Sequence, residues 1–106
     1  MRGNTETPDS WKFVRITPHD PTLPSHDRVL CSWYGGFAGS NSWKLSSGNE
    51  SVIDRGDYLE VPQHSGTVYR LYKNAEHVSS LMMNIFIDAN KHAEDYKLEM
   101  FDYEPA

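Results

Sequence analysis

A chain of 106 residues, 38% of them hydrophobic, has room for one domain with a modest core, and its 13 aromatic residues must supply much of the burial. No run of about 18 apolar residues occurs, which excludes a membrane-crossing helix, and the polar segment Met1–Ser10 lacks the apolar stretch of a secretory leader. A single cysteine excludes an internal disulfide, so a reducing compartment, the cytoplasm, is the expected location.

Residues 1–10 are polar, include Gly3 and Pro8, and read as a loose N-terminal arm; residues 11–106 then form a single domain. Trp11 to Thr17 alternates as a strand, with Trp11 and Phe13 on one face and Val14 and Ile16 on the other. Pro18, Pro21 and Pro24 interrupt any regular ladder and mark an extended connector. A second strand follows at about Arg28–Tyr34: Val29, Cys31 and Trp33 share one face, Leu30, Ser32 and Tyr34 the other, and both faces are partly apolar. Gly35, Gly36 and Gly39, with Ser40 and Asn41, read as a hairpin loop before a third strand, Ser42–Ser46, that carries Trp43 and Leu45 on one face.

Turn chemistry recurs at Ser47-Gly48-Asn49, at Asp54-Arg55-Gly56-Asp57 and over Pro62–Gly66. Between these turns lie short strands beginning at Val52-Ile53, over Tyr58–Val61 and over Thr67–Lys73. The period then changes: Val78, Leu81, Met82, Ile85, Phe86 and Ala89 form the apolar stripe of a helix, with Asn74 as its expected N-cap and Glu76 in its first turn. A break near Asn90–Lys91 and a final strand or extended tail over Tyr96, Leu98 and Met100 complete the reading, although Ala93, Tyr96 and Met100 would equally continue the helix. The pieces assemble as an α+β domain: an antiparallel sheet of about five or six strands with one amphipathic helix packed on one face.

The charge of −5 is unevenly distributed. Residues 1–73 hold 8 basic and 8 acidic residues, whereas residues 74–106 hold 2 basic and 7 acidic ones. Such an acidic third disfavours nucleic acid and favours basic protein surfaces. Its carboxylates Asp88, Glu94, Asp95, Glu99, Asp102 and Glu104 are the candidate partner-binding residues; a solvated face that keeps the chain soluble is the plain alternative.

Other candidate chemistry is weaker. Arg55-Gly56-Asp57 spells an integrin-binding tripeptide and Asn49-Glu50-Ser51 a glycosylation sequon, but both sit in turns of a chain expected to stay inside the cell. Cys31 is the only thiol, placed mid-strand where cysteine usually packs as a small apolar group; with one of His19, His26, His64, His77 or His92 as base it would make a small Cys/His enzyme. None of the histidines has metal-ligand spacing, and neither cofactor nor metal is expected. Gly35-Gly36-Phe37-Ala38-Gly39 lacks the lysine and following helix of a phosphate loop. An aromatic sheet face with Tyr34, Phe37 and Trp43 as possible contacts would suit a small ligand or single-stranded nucleic acid, but few Lys/Arg interleave with the rings.

The segments Val29-Leu-Cys-Ser-Trp-Tyr-Gly-Gly-Phe37, Ser42-Trp-Lys-Leu-Ser-Ser-Gly48 and His64-Ser-Gly-Thr-Val-Tyr69 resemble small uncharacterised proteins of bacteriophages and prophages, over roughly residues 28–86. The resemblance implies a mobile-element setting, in which small acidic proteins often bind a host protein, as anti-CRISPR and other defence inhibitors do. The resulting expectation is a non-enzymatic accessory protein that binds a basic host-protein surface in the host cytoplasm.

Overall fold

The computed structural model describes residues 4–34 and 42–104. Eight strands and one helix follow one another: β1 (Thr5–Glu6), β2 (Ser10–Pro18), β3 (His26–Trp33), β4 (Ser42–Leu45), β5 (Ile53–Asp54), β6 (Tyr58–Pro62), β7 (Val68–Tyr72), a 3-10 turn (Lys73–Ala75), α1 (Ser80–His92) and β8 (Tyr96–Phe101). The α+β class and the helix on one sheet face are as expected. The strands, however, divide into two four-stranded sheets, one ordered β1-β7-β6-β5 and the other β4-β3-β2-β8. All described strand pairs are antiparallel except β1–β7.

The reason lies in β2 and β3, which are apolar on both faces. Trp11, Phe13, Val29 and Cys31 face the first sheet and pack with Leu59, Val61, Tyr69 and Leu71. On the opposite face Val14, Ile16 and Leu30 pack with Leu98 of β8 and Met82 of α1. One helix can dry only one face, so the other recruits a second sheet. The Trp11 ring is wholly buried, and its indole N–H donates to the carbonyl of Tyr72 at 2.8 Å, which satisfies the polar edge such a ring carries into the core.

Local chemistry sets the turns. Gly48 has φ +134°, and a Cβ there would come within 2.6 Å of His64 Cδ2, so both backbone and space require glycine. Its N–H donates to Oε1 of the buried Gln63, whose Nε2 donates to Asn49 Oδ1, binding this turn to the end of β6. Gly56 (φ +96°) donates to Asp54 Oδ1 in the turn before β6.

Three local expectations are corrected. Thr5–Glu6, read as part of a loose arm, pairs in parallel with Val68–Tyr69, and Pro8 and Ser10 are buried; residues 1–3 lie outside the described residues. The helix is capped by Ser79, whose Oγ accepts from Met82 N, and not by Asn74, which lies in the 3-10 turn. Glu76 precedes the helix and forms an isolated parallel bridge to Trp11, where His77 N–H donates to the Trp11 carbonyl. Pairing with β2 thus holds the chain extended for one more segment before the helix starts.

The final segment is a strand. The Asn90 side chain donates to the Leu98 carbonyl and accepts from the Leu98 N–H, standing in for a neighbouring backbone and pinning α1 to β8. β8 in turn runs antiparallel to β2, with Leu98 opposite Ile16 and Glu99 opposite Arg15.

Candidate binding cleft

The six acidic candidates do not form one patch. Asp88 sits on the exposed side of α1, 3.5 Å from the His92 ring. Glu94 and Asp95 occupy the turn into β8, where their carbonyls accept from His19. Glu99 lies on β8 beside Lys97 at 3.8 Å, and Asp102 and Glu104 follow the end of that strand. The six residues of β8 separate the Glu94–Asp95 end from the Asp102 end by about 20 Å.

At the Asp102 end the structure builds a concave site. An open cleft of about 440 Å³ is lined by Phe13 and Arg15 of β2, Asp27 of β3, Asn49, Val52, and the run Phe101–Glu104. Strand alternation explains its composition. Phe13 and Arg15 point to the same face of β2, and Asp27 and Glu99 flank Arg15 on the neighbouring strands. Phe13 and Phe101 stack with centroids 5.5 Å apart, and Tyr103 leans on Phe13 at 6.4 Å. The floor is therefore aromatic and the rim carboxylate.

Its charges are arranged asymmetrically. Arg15 lies over the Phe101 ring at 4.6 Å and reaches Asp27 through Nε and Nη2, at 2.9 and 3.3 Å. The hydrogen bond to Asp27, then its charge, raise the Arg15 pKa further above its ordinary value. Arg15 is the sole cation of the lining, against Asp27, Asp102 and Glu104. Asp102 also holds Lys12, which Glu76 grips from the other side at 3.0 Å. Burial alone would lower the Lys12 pKa, but the two carboxylates outweigh it and raise it.

Tyr103 closes the end of the cleft. Its N–H donates to Glu76 Oε2 at 3.1 Å and its hydroxyl to Asp54 Oδ2 at 2.9 Å, tying the tail of the second sheet to β5 of the first. Asp54 also accepts both bonds of Lys73, and its carboxyl is held down to about 2 by Lys73, by the Gly56 N–H and by the Tyr103 hydroxyl. The same bond raises the Tyr103 phenol.

Other candidates are placed as follows. Cys31 is fully buried between the two sheets, and burial pushes its thiol well above the ordinary value, which disfavours the thiolate a nucleophile needs. Tyr34 and Trp43 are each about half exposed, at 48% and 49%. Tyr34 bonds Ser10 through its hydroxyl and Asp9 through its N–H, while Trp43 lines a separate slot beneath α1. Phe37 and the loop Gly35–Asn41 lie outside the described residues. Among the described residues no three His, Cys, Asp or Glu side chains converge in a way that would hold a metal ion.

Of the residues lining this cleft, the sequence singled out Asp102 and Glu104 as candidates but not Phe13, Arg15, Asp27, Phe101 or Tyr103. Arg15 and Asp27 were legible as opposite charges on the ends of consecutive strands. Their juxtaposition with Phe101 depended on β8 choosing β2 as its neighbour. No family model matches this chain, and neither a curated protein nor a solved structure matches it.

Proposed function

We propose that this protein is a non-enzymatic binding protein that docks on a basic protein surface and receives a lysine or arginine side chain in the Phe101–Tyr103 cleft. The observation that carries this reading is the lining itself: three carboxylates around stacked rings, with one arginine among them. A guanidinium or ammonium group entering there gains cation–π and charge-assisted contacts. The six-residue acidic surface expected from sequence thus contracts to Asp102 and Glu104 in the lining, together with Asp27, and to Glu99 opposite Arg15 on β8. The setting we infer is that of a phage or prophage accessory protein acting on a host protein in the host cytoplasm, as a defence inhibitor would. The resemblance of the core segments and the acidic C-terminal third support that setting.

The test uses two variants of the full chain and a defined probe, an arginine-rich peptide compared with a glutamate-rich one. Glu99→Lys/Glu104→Lys should weaken arginine-peptide binding roughly tenfold or more, and added salt should weaken it in the parent. Glu94→Lys/Asp95→Lys, equal in charge change but at the other end of β8, should have a much smaller effect. Equal losses in both variants would reduce the cleft to net charge alone, and no arginine-peptide binding by the parent would sink the proposal.

A further inference from the structure

On the opposite face of the second sheet, α1 leaves part of the apolar surface uncovered. A slot of about 150 Å³ lies between Leu30, Trp43 and Leu45 of the sheet and Ile85, Phe86 and Ala89 of the helix, with no polar surface in its lining. It shares Leu45, Ala89 and Leu98 with a wider chamber of about 360 Å³, walled by Ile16, Leu23 and Tyr96 and containing Arg28, His26 and Asp95. Together the two fall within the roughly 300–1,000 Å³ of ordinary small-molecule sites.

Arg28 is the group in this chamber that folding leaves unexplained. Arg15 pairs with Asp27, Arg55 with Glu60, and Arg70 lies over the Tyr58 ring. Arg28 alone of the described arginines has neither a carboxylate nor a ring, although it is less exposed than the other three. Its Nε donates to His26 Nε2 at 3.2 Å, and its terminal N–H groups have no partner among the described residues. Burial first and Arg28 second lower the His26 pKa, which favours the neutral imidazole that can accept that bond. Asp95, the acid of the chamber, is exposed and lies beyond ion-pair distance of Arg28. A partly desolvated guanidinium whose terminal N–H groups are unpaired among the described residues is a receptor for a planar carboxylate.

We propose that this groove is a binding site for a carboxylate-headed amphiphile, its aliphatic chain in the slot against Trp43 and Phe86 and its carboxylate on the Arg28 fork. The site is separate from the aromatic cleft, which opens on the other face of the sheet. The experiment titrates the full chain with decanoate and with decanol, each below its aggregation threshold, by calorimetry, with Trp43 fluorescence as a second readout. Decanoate should bind saturably, one per chain, and decanol roughly ten- to a hundredfold more weakly, the range expected for a charge-assisted bond. Arg28→Gln should bring decanoate down to the decanol level and leave decanol unchanged; Ala89→Phe, which fills the slot, should abolish both. Equal affinity for the two heads, or no saturable binding of either, overturns the proposal on the unmodified chain, so a variant that misfolds does not rescue it. A ligand-free dimer that shields Trp43 and is indifferent to decanoate also overturns it, and assigns the groove to a second copy.

Discussion

Glu76→Gln isolates how the C-terminal tail is fastened. One oxygen of Glu76, Oε2, accepts from Lys12 Nζ at 3.0 Å and from Tyr103 N–H at 3.1 Å. Both charged side chains are largely shielded, 13% exposed for Lys12 and 23% for Glu76. The substitution keeps the shape and an amide oxygen that can still accept both bonds, but removes the negative charge that strengthens them. A hydrogen bond to a charged group contributes about 1.5–3 kcal/mol. Because Asp102 still holds Lys12 and both groups retain some water, the expected loss is at the low end, about 1–2 kcal/mol at neutral pH. Urea unfolding followed by tryptophan fluorescence measures it, and the Tyr103 amide should exchange faster with solvent. In a Lys12→Met background the same substitution should cost less by about 1 kcal/mol, the coupling of the pair. A loss below about 0.3 kcal/mol, or the same loss in both backgrounds, would refute the argument that this carboxylate fastens the tail through Lys12.

Two further perturbations probe the packing and the charge network. Met82 is the one fully buried residue of α1, packed on Val14, Ile16, Leu30 and Leu98; Met82→Ala should cost about 2–4 kcal/mol in chemical unfolding, whereas Ile87→Ala, at 56% exposure, should cost under about 1 kcal/mol. Asp54 is held down from 3.8 to about 2, so it stabilises the fold above pH about 4 and loses that contribution as pH falls through about 2. Asp54→Asn should therefore be less stable than the parent at neutral pH, with the difference shrinking from pH about 4 and gone below about 2. A difference that is independent of pH across acid unfolding curves would show that the carboxylate charge is not what links Tyr103 to β5.

Much of the fold was legible because its signals are local. The two-faced alternation of Trp11–Ile16 and Val29–Leu30, the glycine turns at Gly48, Gly56 and Gly66, and the stripe Val78–Ala89 all correspond to elements in the structure. The helix start was displaced because a capping preference at Asn74 is worth only about 1 kcal/mol, and the backbone pairing of Glu76 and His77 with Trp11 outweighed it. The β1 strand was missed because two residues carry no periodicity; a neighbour, β7, gives Thr5–Glu6 their conformation.

The candidate site was less legible for the same reason. Acid enrichment after Asn74 is a property of composition and could be counted from sequence. Which of those carboxylates acquires a receptor-like surrounding is a property of strand order. β8 lies against β2, and this places Glu99 beside Arg15 and Phe101 on Phe13.

The sequence by itself determined most of the secondary structure and, through β2 and β3, the need for cover on two faces, because both depend on the spacing of apolar side chains along a single segment. Only the tertiary structure decided that β5–β7 and β1 supply one cover and α1 the other, that the C-terminal tail closes the gap between the sheets, and that Arg28 has no counter-charge among the described residues. Those outcomes rest on contacts between residues distant in the chain, whose pairing is chosen by the burial of the whole and by no local preference.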